Sequence, residues 1–214
     1  MAGRFDYPVV LDLVDVPVLV VGAGPVAVRK VDGLAAAGAT VRVVAPEVAP
    51  ELDLQHVVDL RRREYQRDDL DGVRLVVTAT GRRDVDAAVA ADAKAAGLWV
   101  NAADQPEDCS FILPAIARNG PLSVAVSTGG ASPALARRLR DRAAELLTDD
   151  VVALSHELAQ RRRQVRDDGG STEDVDWAPL IDPVVPPIKS TSTSHGALTS
   201  GSQIDHSSPR ASAP

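Results

Sequence analysis

The sequence predicts an α/β fold in which a doubly wound parallel sheet is followed by a small α+β unit and a short helical segment. Three observations carry this. Two β-branched apolar runs, residues 18–21 and 41–44, lack the apolar-polar alternation of a strand with one wet face, so helices must cover both sides of their sheet. Strand-like and helix-like segments then alternate along the chain. A glycine turn joins the first strand to the first helix, as a parallel β-α-β unit requires.

From Val16 the chain reads VPVLVVGAGPVAVRKVDGLAAAGATVRVVAP: a strand, the glycine turn, an Ala-rich helix, Gly38 and a second strand. Residues 62–65 (RREY) read as a third strand, 75–79 (LVVTA) as a fourth, 85–96 as a helix and 98–101 (LWVN) as a fifth strand. Right-handed crossovers put any ligand at the carboxyl edge of such a sheet. Gly22, Ala45, residues 78–80 and residues 101–104 are therefore expected to converge. After Phe111 the pattern changes, with a helical piece in ILPAIAR, a turn at Asn119 and Gly120, the alternating strand LSVAV, a glycine loop and an amphipathic helix. A further helix is expected over 149–165, with Val151, Leu154, Leu158 and Val165 on one face. The last stretch, from Pro183 on, is rich in Ser, Thr, Pro and Gly and cannot bury enough apolar surface to offset its chain entropy. The expected division is 1–112 for the sheet domain, 113–147 for the small unit, 148–167 for the helical segment and 168–214 for a disordered tail.

Composition narrows the function. A hydrophobic share of 45% with 25% charged residues is ordinary for a soluble domain, and no apolar run approaches the roughly 20 residues of a membrane span. The amino-terminal apolar stretch is broken by Asp12 and Asp15, unlike a secretory signal. Cys109 is the sole cysteine, so no internal disulfide forms, which agrees with a reducing cytoplasm. A net charge of −7 argues against nucleic acid as the partner. Arg61, Arg62 and Arg63 read as a solvated edge beside Glu64.

The sharpest chemical signal is Gly22-Ala23-Gly24-Pro25-Val26-Ala27, a GxGxxA turn set after a strand and before a helix. Gly22 permits the tight turn, Gly24 lets a pyrophosphate approach the backbone, and Ala27 lets helix pack on sheet, while the helix's first N–H groups receive the anion. This context makes the sheet Rossmann-like and the ligand a dinucleotide. The second strand ends in Val44-Ala45-Pro46-Glu47, so the acid expected at the ribose is displaced to Glu47, and the absence of an adjacent Arg favours NAD over NADP. Thr78, Thr80 and Asn101 stand at strand ends and count as cofactor contacts for that reason. Asp104 follows the fifth strand and is placed either for proton work or for capping the next turn. Ser127, Thr128, Gly129, Gly130 and Ser132 form a loop ahead of a helix carrying Arg137, Arg138 and Arg140. It reads as a carboxylate-binding loop or as a plain capped helix with a solvated Arg face. No metal-ligand spacing links His56, His156, His195 and His206.

Taken together, VVGAGPVAVRK, LVVTAT, VNAADQPEDCSFILPA and VAVSTGGASPALARRLR resemble, in order and spacing, the amino-terminal half of siroheme synthase and the single-function precorrin-2 dehydrogenases, over residues 7–147. The resemblance implies NAD-dependent oxidation of precorrin-2 to sirohydrochlorin in siroheme biosynthesis. It implies Asp104 as the acid-base group, and Gly22, Gly24, Pro25, Val26, Pro46 and Glu47 as cofactor contacts. The 127–132 loop would meet substrate carboxylates, with Thr128 replacing a serine of the family pattern. It further implies a homodimer paired through residues 113–147. Some members also insert ferrous iron, and Asp104 alone does not define a multi-ligand metal site, so chelation stays open. No methyltransferase half follows in this sequence, so precorrin-2 is expected from another protein. Two other readings are an NAD-sensing regulatory module without catalysis and an unrelated small-molecule dehydrogenase.

Overall fold

The computed structural model describes residues 4–188, and its contacts divide the chain into two units, 1–156 and 157–214. In the first unit, five strands make one parallel sheet: β1 (Pro17–Val21), β2 (Thr40–Val44), β3 (Asp59–Arg61), β4 (Leu75–Thr78) and β5 (Trp99–Ala102), in the order β3-β2-β1-β4-β5. Helix α1 (Pro25–Ala35) connects β1 to β2, and α2 (Arg83–Ala95) connects β4 to β5. Strand order reverses between β1 and β4, the place where such sheets open a crevice.

Both sheet faces are dry, which explains the missing alternation. Val18, Val20, Val41 and Val43 pack with Ala27 and Val31 of α1 on one side. Leu19, Val21, Val44, Val76 and Val100 pack with Val89, Ala90 and Ala93 of α2 on the other. The small residues on each helix allow it to lie close on the β-branched surface, and each fully buried Val contributes roughly 1.5–3 kcal/mol of transfer free energy.

The third strand is shifted from its expected place. It ends at Arg61 instead of spanning 62–65, because the chain there turns its arginines inward. Arg61 and Arg63 each donate to Asp69 at 2.6 Å, and the Gln66 N–H adds a bond at 2.8 Å. Asp69 is wholly buried. Two of the three arginines therefore hold an inward carboxylate, and the solvated-edge reading is corrected. Burial pushes the Asp69 carboxyl up, but the bonds from Arg63, Gln66 and Arg61 outweigh it and bring it down to about 2.

An unfolded Asp titrates near 3.9, so this carboxylate stabilises the fold fully above that pH and loses its contribution as pH falls through about 2. The contribution at neutral pH is on the order of 2 kcal/mol. Asp69→Asn is expected to lower stability by about 2–4 kcal/mol at pH 7, since Arg63 loses its carboxylate and Arg61 keeps only Asp59, and to flatten the acid limb of stability. Urea unfolding at pH 7 and pH 3 reads both effects; equal losses at the two pH values would contradict the assignment.

Beyond the sheet, residues 115–119 form strand β6 (Ala115–Asn119), where a helical piece is expected from sequence. It pairs antiparallel with β7 (Leu122–Val126), Asn119 opposite Leu122, across a two-residue loop whose first residue, Gly120, has φ 52°. Glycine at the first loop position suits a tight hairpin, and that turn overrides the weak helical pattern before it. Helix α3 (Pro133–Ala144) packs on the hairpin, tied by Arg140 Nη1 donating to Ile116 O at 3.2 Å. Asn119 Nδ2 donates to Leu147 O at 2.8 Å and to Asp149 Oδ1 at 3.0 Å, fixing the start of α4 (Asp149–Asp167).

In the second unit, α4 ends at a C-cap with Gly169 at φ 79° and Gly170 N–H donating to Val165 O at 2.8 Å. Trp177 Nε1 donates to Thr172 O at 3.0 Å ahead of the short α5 (Ala178–Ile181). Residues 168–188 of the expected tail thus hold defined turns, and 189–214 lie outside the described residues.

Candidate active site

The carboxyl ends of the strands meet as the sequence predicts. Val21 of β1 is level with Val44 of β2 and Thr78 of β4, and Thr78 is level with Ala102 of β5. The chain exits continue the ladder: Gly22 N–H donates to Val44 O at 2.9 Å, Ala79 N–H to Val21 O at 2.8 Å, and Ala103 N–H to Thr78 O at 2.9 Å. Gly22 sits at φ 103°, and a Cβ there would lie 2.5 Å from Ala79 O, so only glycine lets the β1 turn press against the β4 turn. Gly24 differs. It has ordinary extended geometry (φ −78°, ψ −179°) as the N-cap of α1, and a Cβ there would meet nothing within 4 Å.

That free space is the mouth of a cleft of about 300 Å³ at the switch point. One wall is the glycine turn at Gly24, Pro25 and Val26; the opposite wall is Ala79, Thr80 and Gly81 after β4. The floor is closed by Ala103, Asp104 and Gln105 after β5. Helix α1 begins with Pro25, so its open first turn points at the cleft with unpaired N–H groups suited to an anion. Arg83 stands on the rim and is ion-paired to Glu107.

Asp104 is exposed to the cleft and has φ 58°, a left-handed conformation that Asp and Asn tolerate better than other side chains. Three groups hold its loop. Cys109 is buried; its Sγ donates to Ala102 O at 3.2 Å and Gln105 O at 3.3 Å and accepts from Ala102 N at 3.2 Å. Burial pushes that thiol up. Asn101 Nδ2 donates to Phe111 O at 3.0 Å, and Arg4 donates to the carbonyls of Glu107 and Cys109. Lys30 lies one turn below Val26 on α1, half-buried. Burial lowers its ammonium while the Asp104 carboxylate pulls the other way.

Asp86, which sequence reading missed, is a buried part of the cleft lining beside Thr80 and accepts from the Thr78 hydroxyl, from Thr80 N–H at 3.1 Å and from Thr80 Oγ1 at 2.9 Å. An acid one turn into a helix that follows a Thr-x-Thr strand end was its only trace in the sequence.

Several expected contacts have other surroundings. Thr78 is fully buried with its hydroxyl on Asp86, and Asn101 is buried with its amide on the 109–111 loop, so both brace the cleft from behind and neither lines it. Pro46 and Glu47 are exposed after β2, outside the lining. No residue of the 127–132 loop lines the cleft. In that loop Thr128 Oγ1 accepts from Ser132 N at 3.0 Å and donates to Ser132 O at 3.2 Å, and Ser132 Oγ caps α3 through Leu135 N. The hydroxyl that replaces a serine thus closes the loop on itself.

The site fits a dinucleotide on two grounds internal to the structure. Gly24 leaves open the space a pyrophosphate needs, and Gln105, which lines the floor, has its Oε1 buried without a hydrogen-bond partner. Among the described residues no group of three or more His, Cys, Asp or Glu is arranged to hold a metal ion, and no helix is long and apolar enough to cross a membrane.

Comparison with known proteins agrees with this geometry. A family described as putative NAD(P)-binding matches residues 9–115, half of the chain, and one described as sirohaem biosynthesis protein central matches residues 119–143. Siroheme synthase of Methylococcus capsulatus is 45% identical over 165 residues, covering 75% of this chain and 35% of that protein. The siroheme synthase of Chromobacterium violaceum is 47% identical over 144 residues, 66% of this chain and 31% of the relative. The chain therefore spans about a third of the length of these curated relatives. Among solved structures, SirC, a precorrin-2 dehydrogenase, superposes with a TM-score of 0.61 at 28% identity, covering 86% of this chain and 90% of that one. The chain belongs to the putative NAD(P)-binding family, in the group formed by the amino-terminal part of siroheme synthases and by precorrin-2 dehydrogenase.

Proposed function

We propose that the chain is an NAD-dependent precorrin-2 dehydrogenase that forms sirohydrochlorin. The observation that carries the reading is that Asp104 lines the same cleft as the Gly24–Val26 turn. Bound NAD supplies the acceptor for the hydride removed from the macrocycle. Gly24 and the first turn of α1 hold its pyrophosphate, with Gly22 setting that turn. The Asp104 carboxylate takes up the proton released as the macrocycle loses its second hydrogen, so one hydride and one proton leave per turnover. Lys30, beneath the cleft, offsets the negative charge of Asp104. The 127–132 loop, with the Gly130 N–H and the start of α3, receives carboxylates of the substrate. Pro46 and Glu47, at the end of β2, take the adenosine side, with no arginine next to them in the sequence for a 2′-phosphate.

The hairpin unit supports a homodimer. Two strands with one helix make a thin layer, and Leu135 and Leu139, one turn apart on α3, are exposed by 51% and 42%. A second copy laid against this unit would cover them.

An anaerobic assay with the purified chain, NAD and precorrin-2 tests the reading. One NAD is expected to be reduced per precorrin-2 consumed, and absence of reduction would overturn the proposal. Ferrous ion added after oxidation is complete reads iron insertion as a separate step, in which Asp104 would accept pyrrole protons.

A further inference from the structure

The floor of the cleft holds an amide that no described residue satisfies. Gln105 is 4% exposed, its Oε1 is buried without a partner, and neither end of its side-chain amide makes a hydrogen bond with any described residue. Its backbone is fully engaged: the N–H donates to Ala102 O at 3.3 Å, and the carbonyl accepts from Asp108 N at 3.0 Å and from Cys109 Sγ. The loop thus holds the residue firmly while leaving its amide idle. Buried amides are almost always paired, and those that are not point to a missing partner.

The missing partner must be able to donate and accept at once. A pyrophosphate only accepts, and the adenosine ribose lies on the β2 side of the switch point. Within a dinucleotide the ribose hydroxyls, the adenine edge and the nicotinamide carboxamide can all donate and accept, but only the last two hold a separate donor and acceptor side by side in one plane, as the glutamine amide does. Gln105 follows β5, on the far side of the glycine turn from β2, and it neighbours Asp104. That position belongs to the reacting end of the cofactor. We infer that Gln105 binds the nicotinamide carboxamide through a reciprocal pair of amide hydrogen bonds and so fixes which ring face meets Asp104. The pairing works with either end of the glutamine amide inward, because the carboxamide can rotate to match it. The inference rests on the NAD reading of the cleft and gives it a positioning residue.

Binding titrations on the full chain without tetrapyrrole test it, using NAD, 3-acetylpyridine adenine dinucleotide, which lacks the amide donor, and ADP-ribose, which lacks the ring. The unaltered chain is expected to prefer NAD to the acetyl analogue by roughly tenfold. Gln105→Met is expected to erase that preference and leave ADP-ribose affinity unchanged. Gln105→Glu, which keeps an acceptor for the carboxamide N–H, is expected to retain it, and this variant carries the test should the Met variant not fold. Persistence of the preference in Gln105→Met, or its loss in Gln105→Glu, would overturn the inference. So would an equal loss of NAD and ADP-ribose, which would assign Gln105 to the adenine side or to the fold alone. Failure of the unaltered chain to bind any of the three ligands would instead remove the NAD reading, and this inference with it.

Discussion

A Gly24→Asp protein is expected to lose NAD affinity by at least about a hundredfold while its thermal midpoint holds or rises. The two effects separate because Gly24 is a glycine for the ligand's sake. Its φ and ψ are open to any residue, and a Cβ there meets nothing within 4 Å. Asp is among the best N-caps, so the new carboxylate is expected to bond the first-turn N–H groups of α1 and stabilise the helix by a few tenths of a kcal/mol relative to glycine. Those are the groups the pyrophosphate needs. A fixed negative charge about 4 Å from the phosphates adds roughly 1–4 kcal/mol of repulsion, depending on how much water the cleft excludes. Calorimetric titration with NAD beside a thermal melt reads both, and affinity within threefold of the unaltered chain would move the anion site elsewhere.

The second large effect is expected at Asp104. Asp104→Asn should lower turnover of precorrin-2 by roughly a hundredfold to ten-thousandfold, the range contributed by a positioned acid-base group. Its affinity for NAD should stay within a few-fold and its stability should not change. Asn is the proper probe because the backbone here has φ 58°, which Asn adopts nearly as well as Asp. Asp104→Ala would add about 1–2 kcal/mol of backbone cost to the loss of the carboxylate and so mix two causes. Steady-state rates together with NAD titration distinguish the outcomes. Turnover of the Asn variant equal to that of the unaltered chain would free Asp104 of its assigned role.

The sheet is legible in the sequence because its signals are local and redundant. Val18, Val20, Val41 and Val43 face one helix and Leu19, Val21 and Val44 face the other, and an unbroken β-branched run is the direct mark of a strand covered on both sides. The glycine turn is legible for a related reason: Gly22 and Ala27 answer to steric limits that few other residues meet. What escapes depends on contacts distant in sequence or on competing turns. Asp69 draws in Arg61 and Arg63 across a loop, and no rule of spacing announces that a basic run will close on a buried acid. The segment ahead of Gly120 has a helical pattern of its own, and only its pairing with Leu122–Val126 makes it a strand. At the site, strand-end position correctly brings Asp104 to the cleft but does not separate side chains that line it from those that brace it. Thr78 and Asn101 sit at strand ends beside Thr80 and Asp104, yet Asp86 and Phe111 claim their polar groups. Gln105 escapes because a glutamine among turn residues carries no pattern at all.

The bracing of the Asp104 loop by Cys109 has a practical corollary. The chain's one sulfhydryl is sealed at 3% exposure under the very segment that presents the carboxylate. A thiol-modifying reagent can reach it only when that segment lifts, so the pace of labelling counts the openings of the cleft floor. Ligands that clamp the floor shut make the chain keep slower time.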